Sequence, residues 1–160
     1  MPITVYTTYN DVRAVLGVSS KDLSDDTLAL NWYSDALDDE LDGVHANLAT
    51  FFSDASQAQP PSDKQVRLMR SVRTFAATVV AKAATTGLPM FAPQQVGDGK
   101  AMMARFSDPV RDIVKSVEKA YQAAKDKLVL DVAALEEVSS TGVARVWFSV
   151  VSPVDDPVTG

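Results

Sequence analysis

Apolar residues recur along this chain at spacings of three and four in several separate stretches, a rhythm that predicts helices rather than strands. The longest stretch covers residues 107–137, where Val110, Ile113, Val117, Tyr121, Ala124 and Leu128 fall on one face. Ser107 or Asp108 can cap its start, and Pro109 then takes the first helical position, where its missing N–H costs nothing. At 1.5 Å per residue such a helix is about 40 Å long, and it is expected to be the scaffold of the molecule.

Upstream, Thr8 and Asp11 precede Val12, Val15 and Leu16, a short capped helix that Gly17 can end in the left-handed conformation. Ser24, followed by Asp25 and Asp26, marks another start. From there Leu30, Tyr33, Leu37, Leu41, Val44, Leu48 and Phe51 predict a second long helix reaching about residue 52. Gly43 inside that pattern points to a bend or a close helix contact. Residues 53–63, with Pro60 and Pro61, read as a connector. Ser62 and Gln65 then form a capping box for a third helix over residues 63 to about 86, with Met69, Val72, Ala76, Val79 and Ala83 on its buried face. Five alanines in its second half make it small-sided, so that a neighbour can approach closely.

Between Gly87 and Ser107 two prolines and two glycines predict a long loop. The VGDGK within it lacks both the GKS or GKT ending and the preceding strand that a phosphate-binding loop requires. Residues 139–142 break the helical pattern, and residues 143–151 alternate as a single strand with apolar groups on both faces. Such a strand must be covered, either by folding back onto residues 3–6 or by a partner. In the second case Val143, Val146, Trp147, Phe148, Val150 and Val151 are the contact residues. The fold class expected is all-α: a small bundle of three long helices plus a short N-terminal one over residues 1–138, with an extended C-terminal arm over 139–160.

At 160 residues the chain can bury a conventional core as one domain. With no cysteine it has neither disulfides nor thiolate chemistry. No apolar run is long enough for a membrane span, and the start lacks a basic region followed by an apolar core, so a soluble cytoplasmic product is expected. The net charge of −6 is unevenly spread: residues 1–63 carry −9, residues 64–127 carry +7 and residues 128–160 carry −4. Acidic and basic elements either neutralise one another within the fold or meet between copies. On the second reading the inter-subunit residues are Asp35, Asp38 and Asp42 on one side, and Arg67, Arg70, Arg111, Lys115 and Lys119 on the other.

The acids of the second helix, Asp39 included, lie on a helix surface without a glycine-containing calcium loop, so they read as a solvated face and not as a metal site. The single histidine, His45, has no nucleophile or ligand partner at a telling spacing. No catalytic residue, metal or cofactor is therefore expected.

The order of parts carries a resemblance. A short N-terminal helix with the phrase DVRAVLGVSSKDLSDDTL, two helices joined by a polar loop, a long pliant loop, a final helix opening with SDP and an extended arm together resemble the head-to-tail connector (adaptor, or head-completion) proteins of tailed bacteriophages. The resemblance implies a structural virion protein and not an enzyme. It implies a ring of twelve copies at the head–tail junction, made in the host cytoplasm, whose C-terminal arms dock on the portal protein. A downstream neck or tail protein would bind the ring, and DNA would pass through its central channel without sequence-specific binding. An acidic or neutral channel wall is expected, because a surface that grips phosphates would slow DNA passage. The alternative is a helical nucleic-acid-binding or regulatory module that uses the basic third helix, where Arg67, Arg70 and Arg73 lie one turn apart.

Overall fold

The structure, a computed structural model, describes residues 2–86 and 103–141, with side chains over 111–137 in the second segment. A 3-10 turn at Ile3–Val5 leads into α1 (Tyr9–Leu16), α2 (Asp25–Leu28), α3 (Asn31–Val44), α4 (Leu48–Gln57), α5 (Asp63–Thr85) and α6 (Met103–Thr141). The fold is all-α, a small helical bundle with no strand among the described residues.

Local chemistry sets three of the helix starts, those of α1, α2 and α5. The Thr8 hydroxyl accepts from the Asp11 N–H at 3.2 Å while the Asp11 carboxylate accepts from the Thr8 N–H at 3.2 Å, and Gly17 ends α1 at φ 68°. Ser24 caps α2, and Ser62 and Gln65 make the reciprocal box that opens α5. Arg13 is buried at the join of α1 and α2. Its guanidinium donates to the Leu23 carbonyl at 2.8 Å and to Asn10 at 3.1 Å and pairs with Asp25, so the buried charge is fully partnered.

The centre of the molecule is α5 and not the longer α6. Helices α1, α3, α4 and α6 all pack against it. Residues 75–81 are buried without interruption, as befits a helix enclosed on every side, and Ala76, Ala77, Ala81 and Ala84 allow the close approach this requires. Phe75 is fully buried, its ring 5.7 Å from that of Tyr121. α6 runs antiparallel to α5: the Lys64 ammonium donates to the Ala134 carbonyl at 2.8 Å near one end, and Lys82 pairs with Glu118 at 3.2 Å near the other. Its buried seam is Val117, Tyr121, Ala124, Leu128 and Val132; Ile113 is half-buried and the Val110 side chain lies outside the described residues.

Several sequence expectations need correction. The second long helix, expected from Ser24 to about residue 52, is three helices: α2 stops at Leu28, Leu30 is extended (φ −63°, ψ 138°) before α3, and a second break separates α3 from α4. Residue 45 takes an extended conformation (φ −163°, ψ 127°), and the His45 ring nitrogen Nδ1 accepts from the Asn47 N–H at 3.1 Å across the break. A three-and-four rhythm identifies side chains that share a face and says nothing about whether the backbone between them is continuous; broken here, the segment lays two helices on α5. A side chain at Gly43 would meet nothing within 4 Å, so no close helix contact explains that glycine. The connector shortens to residues 58–62, because α4 runs to Gln57. α6 begins at Met103, which puts Pro109 inside the helix and the expected caps within it. It also continues to Thr141, through the expected arm boundary at residue 139. The remainder of the expected loop, residues 87–102, and the expected strand, residues 143–151, lie outside the described residues.

Candidate functional site

Two faces of the bundle concentrate charge that makes no ion pair among the described residues. On α3, burial of Tyr33, Leu37 and Leu41 against α5 turns Asp35, Asp39 and Asp42 to solvent, and none of the three makes an ion pair among the described residues. Asp38 is half-buried and faces inward enough for its charge to act on Tyr6. Burial is the larger cause raising the Tyr6 phenol above its ordinary value, and the nearby charges of Asp38 and Asp42 add to it. Of the expected contact acids, then, Asp35 and Asp42 lie on the open face and Asp38 at its inner edge.

On α6, Arg111, Lys115 and Lys119 are exposed and make no ion pair among the described residues. The same holds for Arg67 and Arg70 in the first half of α5. Arg73, the next in that row, is bound: its Nη2 lies 2.8 Å and its Nε 2.9 Å from the Asp11 carboxylate on α1. The Asp11 carboxyl titrates below its ordinary value. Burial works the other way, and the hydrogen bonds from Thr8 and Arg73 outweigh it.

The other cross-chain polar contacts are structural. Tyr121 donates to Glu40 at 2.7 Å and carries Lys82 over its ring face at 3.9 Å, while Lys125 lies 3.6 Å from Glu40. Together they fasten α3 and α5 to α6. Burial first, then the bond to Glu40, raises the Tyr121 phenol, and the bond from Lys125 offsets only part of this. The buried Ser71 hydroxyl donates to Asp131. His45 sits at the break between α3 and α4, stacked on Phe51 at 5.3 Å with its Nε2 2.9 Å from Glu136. With one ring nitrogen accepting and the other facing a carboxylate, it holds a turn in place. No group of three or more metal-ligating side chains occurs among the described residues, and no described helix is long and apolar enough to cross a membrane.

The sequence reading missed the apolar parts of the exposed faces. Leu30, expected on the buried seam, is 56% exposed because it lies outside α3 as its N-terminal flanking residue; Trp32 beside it is 67% exposed. A hollow of about 480 Å³ opens at the foot of α3, lined by Ile3, Tyr9, Leu28, Leu30, Ser34 and Asp35 among others. On the outer face of α6, Val129 is 48% and Leu130 70% exposed. The signal was present in the period: Trp32 falls opposite Leu37, and Leu130 opposite Leu128 and Val132. The expected portal-contact residues Val143, Val146, Trp147, Phe148, Val150 and Val151 lie outside the described residues. No protein-family model, no curated protein and no solved structure matches this chain.

Proposed function

We propose that this protein is a ring-forming head-to-tail adaptor of a tailed bacteriophage, a structural component that docks on the portal and continues the DNA channel toward the tail. The observation that carries the reading is the presence of rows of opposite charge on separate helices, Asp35, Asp39 and Asp42 on α3 and Arg111, Lys115 and Lys119 on α6, none of which makes an ion pair among the described residues. A contact between unlike faces of identical subunits is head-to-tail, and it closes into a ring when its rotation permits. The all-α bundle agrees with the architecture that the sequence resemblance implies. The other reading, a nucleic-acid-binding module, draws on the arginines of α5, but Asp11 holds one of the three.

The C-terminal arm supplies the test. Removal of residues 143–160 is expected to leave a soluble, fully helical protein that no longer joins portal particles, measured by circular dichroism and co-sedimentation with portal. An aggregated product would assign the segment to the core, and undiminished portal binding would remove the arm from the docking contact. A salt-sensitive shift of short DNA duplexes by the intact protein would favour the nucleic-acid module instead.

A further inference from the structure

Every polar atom of His45 is engaged. Its backbone N–H donates to the Leu41 carbonyl at 3.1 Å and closes α3, and its carbonyl accepts from the Leu48 N–H at 3.0 Å at the start of α4. Its ring joins the same two helices to a third. Nδ1 accepts from the Asn47 N–H at 3.1 Å, Nε2 lies 2.9 Å from Glu136 on α6, and the ring stacks on Phe51 of α4 at 5.3 Å. These partners fix the protonation state: a nitrogen that accepts carries no proton, and a neutral nitrogen against a carboxylate must carry one, so the ring is the neutral Nε2–H tautomer. Asn47, the N-cap residue of α4, makes no side-chain cap bond of its own, and the His45 ring stands in for one.

We infer that His45 is a proton-operated clasp on the α3–α4 corner: a second proton, taken from solvent onto Nδ1, occupies the lone pair that holds Asn47, and the start of α4 is let go while the ring stays on α6. The other contacts decide which one breaks. Glu136 binds a charged ring more strongly than a neutral one, and the face of Phe51 also attracts a cation. The end of α3 favours positive charge and the start of α4 disfavours it. Among these contacts the Asn47 N–H alone is repelled, a donor facing a donor. The charged groups on the surrounding elements are Asp42 on α3, Asp54 on α4, Glu136 and Glu137 on α6, and Lys64 on α5, whose ammonium is held by the Ala134 carbonyl at 2.8 Å. Four of these five are acids, so the surroundings accept the charged ring. The His45 side chain is 26% exposed, which admits the proton, and Asn47 is exposed, so water takes over its N–H. Leu48 and Phe51, in the first turn of α4, pack on the core, and the loosening is felt there. The clasp operates in the single subunit, whether or not subunits assemble into a ring.

His45 is the one histidine in the chain, so its ring signals are identified at once. The full chain is followed by NMR from about pH 8 to about pH 5, the range in which an imidazole changes charge, with ring nitrogens and backbone amides read together. At the upper end the ring should show the Nε2–H tautomer. On acidification the Asn47 amide proton should move toward the position of a water-bonded amide with the same midpoint as the ring, and its protection from exchange should fall about fivefold, the worth of one net hydrogen bond. A ring in the other tautomer would overturn the clasp, and so would a ring that titrates while the Asn47 amide stays still or one that takes no second proton in this range. His45→Asn is the control, since its side-chain oxygen can accept from the N–H two residues on and does not titrate. There the Asn47 amide should stay flat; a shift that survives would belong to another group and overturn the assignment. Glu136→Gln should move the release to lower pH. Release at the parent's pH would overturn the clasp as drawn, because the carboxylate is what retains the charged ring.

Discussion

The second half of α5 and the outer face of α3 are both helix, a few residues apart in the packed structure, and they are built on opposite rules. From Phe75 to Ala81 α5 presents seven consecutive buried residues without a charge, enclosed by its neighbours. On its outer side α3 carries Trp32, Asp35, Asp39 and Asp42, all exposed, with no ion pair for the acids among the described residues. The first region is satisfied by the fold, and changing it should act on stability alone. The second is not satisfied by the fold, and changing it should act on assembly with little effect on stability.

The sharpest way to break this division is at its centre. Phe75→Ala empties a fully buried ring site against Tyr121 and should cost about 3–5 kcal/mol, read as a fall in the urea midpoint at constant slope. Replacing Asp35, Asp39 and Asp42 together by lysine should change stability far less and yet abolish self-association, read by light scattering. Asp38 is left in place because it is half-buried, whereas the other three are exposed. A triple variant that loses several kcal/mol would mean that the acids stabilise the subunit itself, and the division between the two regions would fail.

An intermediate case lies between Ser71 and Asp131, where a buried hydroxyl donates to a half-buried carboxylate. Asp131→Ala leaves the hydroxyl without its partner and should cost about 1–3 kcal/mol. Ser71→Ala added to it should cost little more, because the unsatisfied group is then gone; a double variant as weak as the sum of the singles would show that the two do not act as a pair.

How much of this was legible in the sequence depends on the range over which each feature is decided. The Thr8 and Ser62 caps, the Gly17 stop and the span of α5 follow from residues within one turn, and they were readable. The break at His45 was not, because the periodicity of Val44, Leu48 and Phe51 survives it, and the choice between one helix and two is made by packing on α5. The primacy of α5 over the longer α6 was missed for a related reason. Length suggested a scaffold, whereas the run FAATVVA, apolar or small on every side, marks the helix that others surround. The charge rows were readable as rows, but which members the fold would use was not: Arg73 is taken by Asp11 and Glu40 by Tyr121 and Lys125, all contacts between distant segments.

The smallest effect tests the boundary between the two regions, at the ion pair where acidic and basic segments meet within one subunit. Asp11 accepts from Thr8 and Arg73, and its carboxyl is held below the ordinary value, so the folded state binds that proton less readily than the unfolded chain. Its contribution is therefore fully present above the unfolded carboxylate pKa of about 4 and is lost as pH falls through the lower folded value. Both partners are substantially open to water, with Arg73 56% and Asp11 36% exposed, which limits the pair to about 1 kcal/mol or less. Asp11→Asn keeps a side-chain oxygen for the cap and removes the titration. The variant should be slightly less stable than the parent at pH 7, and the gap should close as pH falls from about 5 toward 2. Asp22 and Glu118, whose carboxyls are also lowered, titrate in both proteins and cancel from the difference. Salt should shrink the neutral-pH gap as well, because an exposed pair is screened. A gap unchanged by both acid and salt would mean that Asp11 acts only as a helix cap, and that the acidic first segment and the basic third helix are not joined electrostatically at this point.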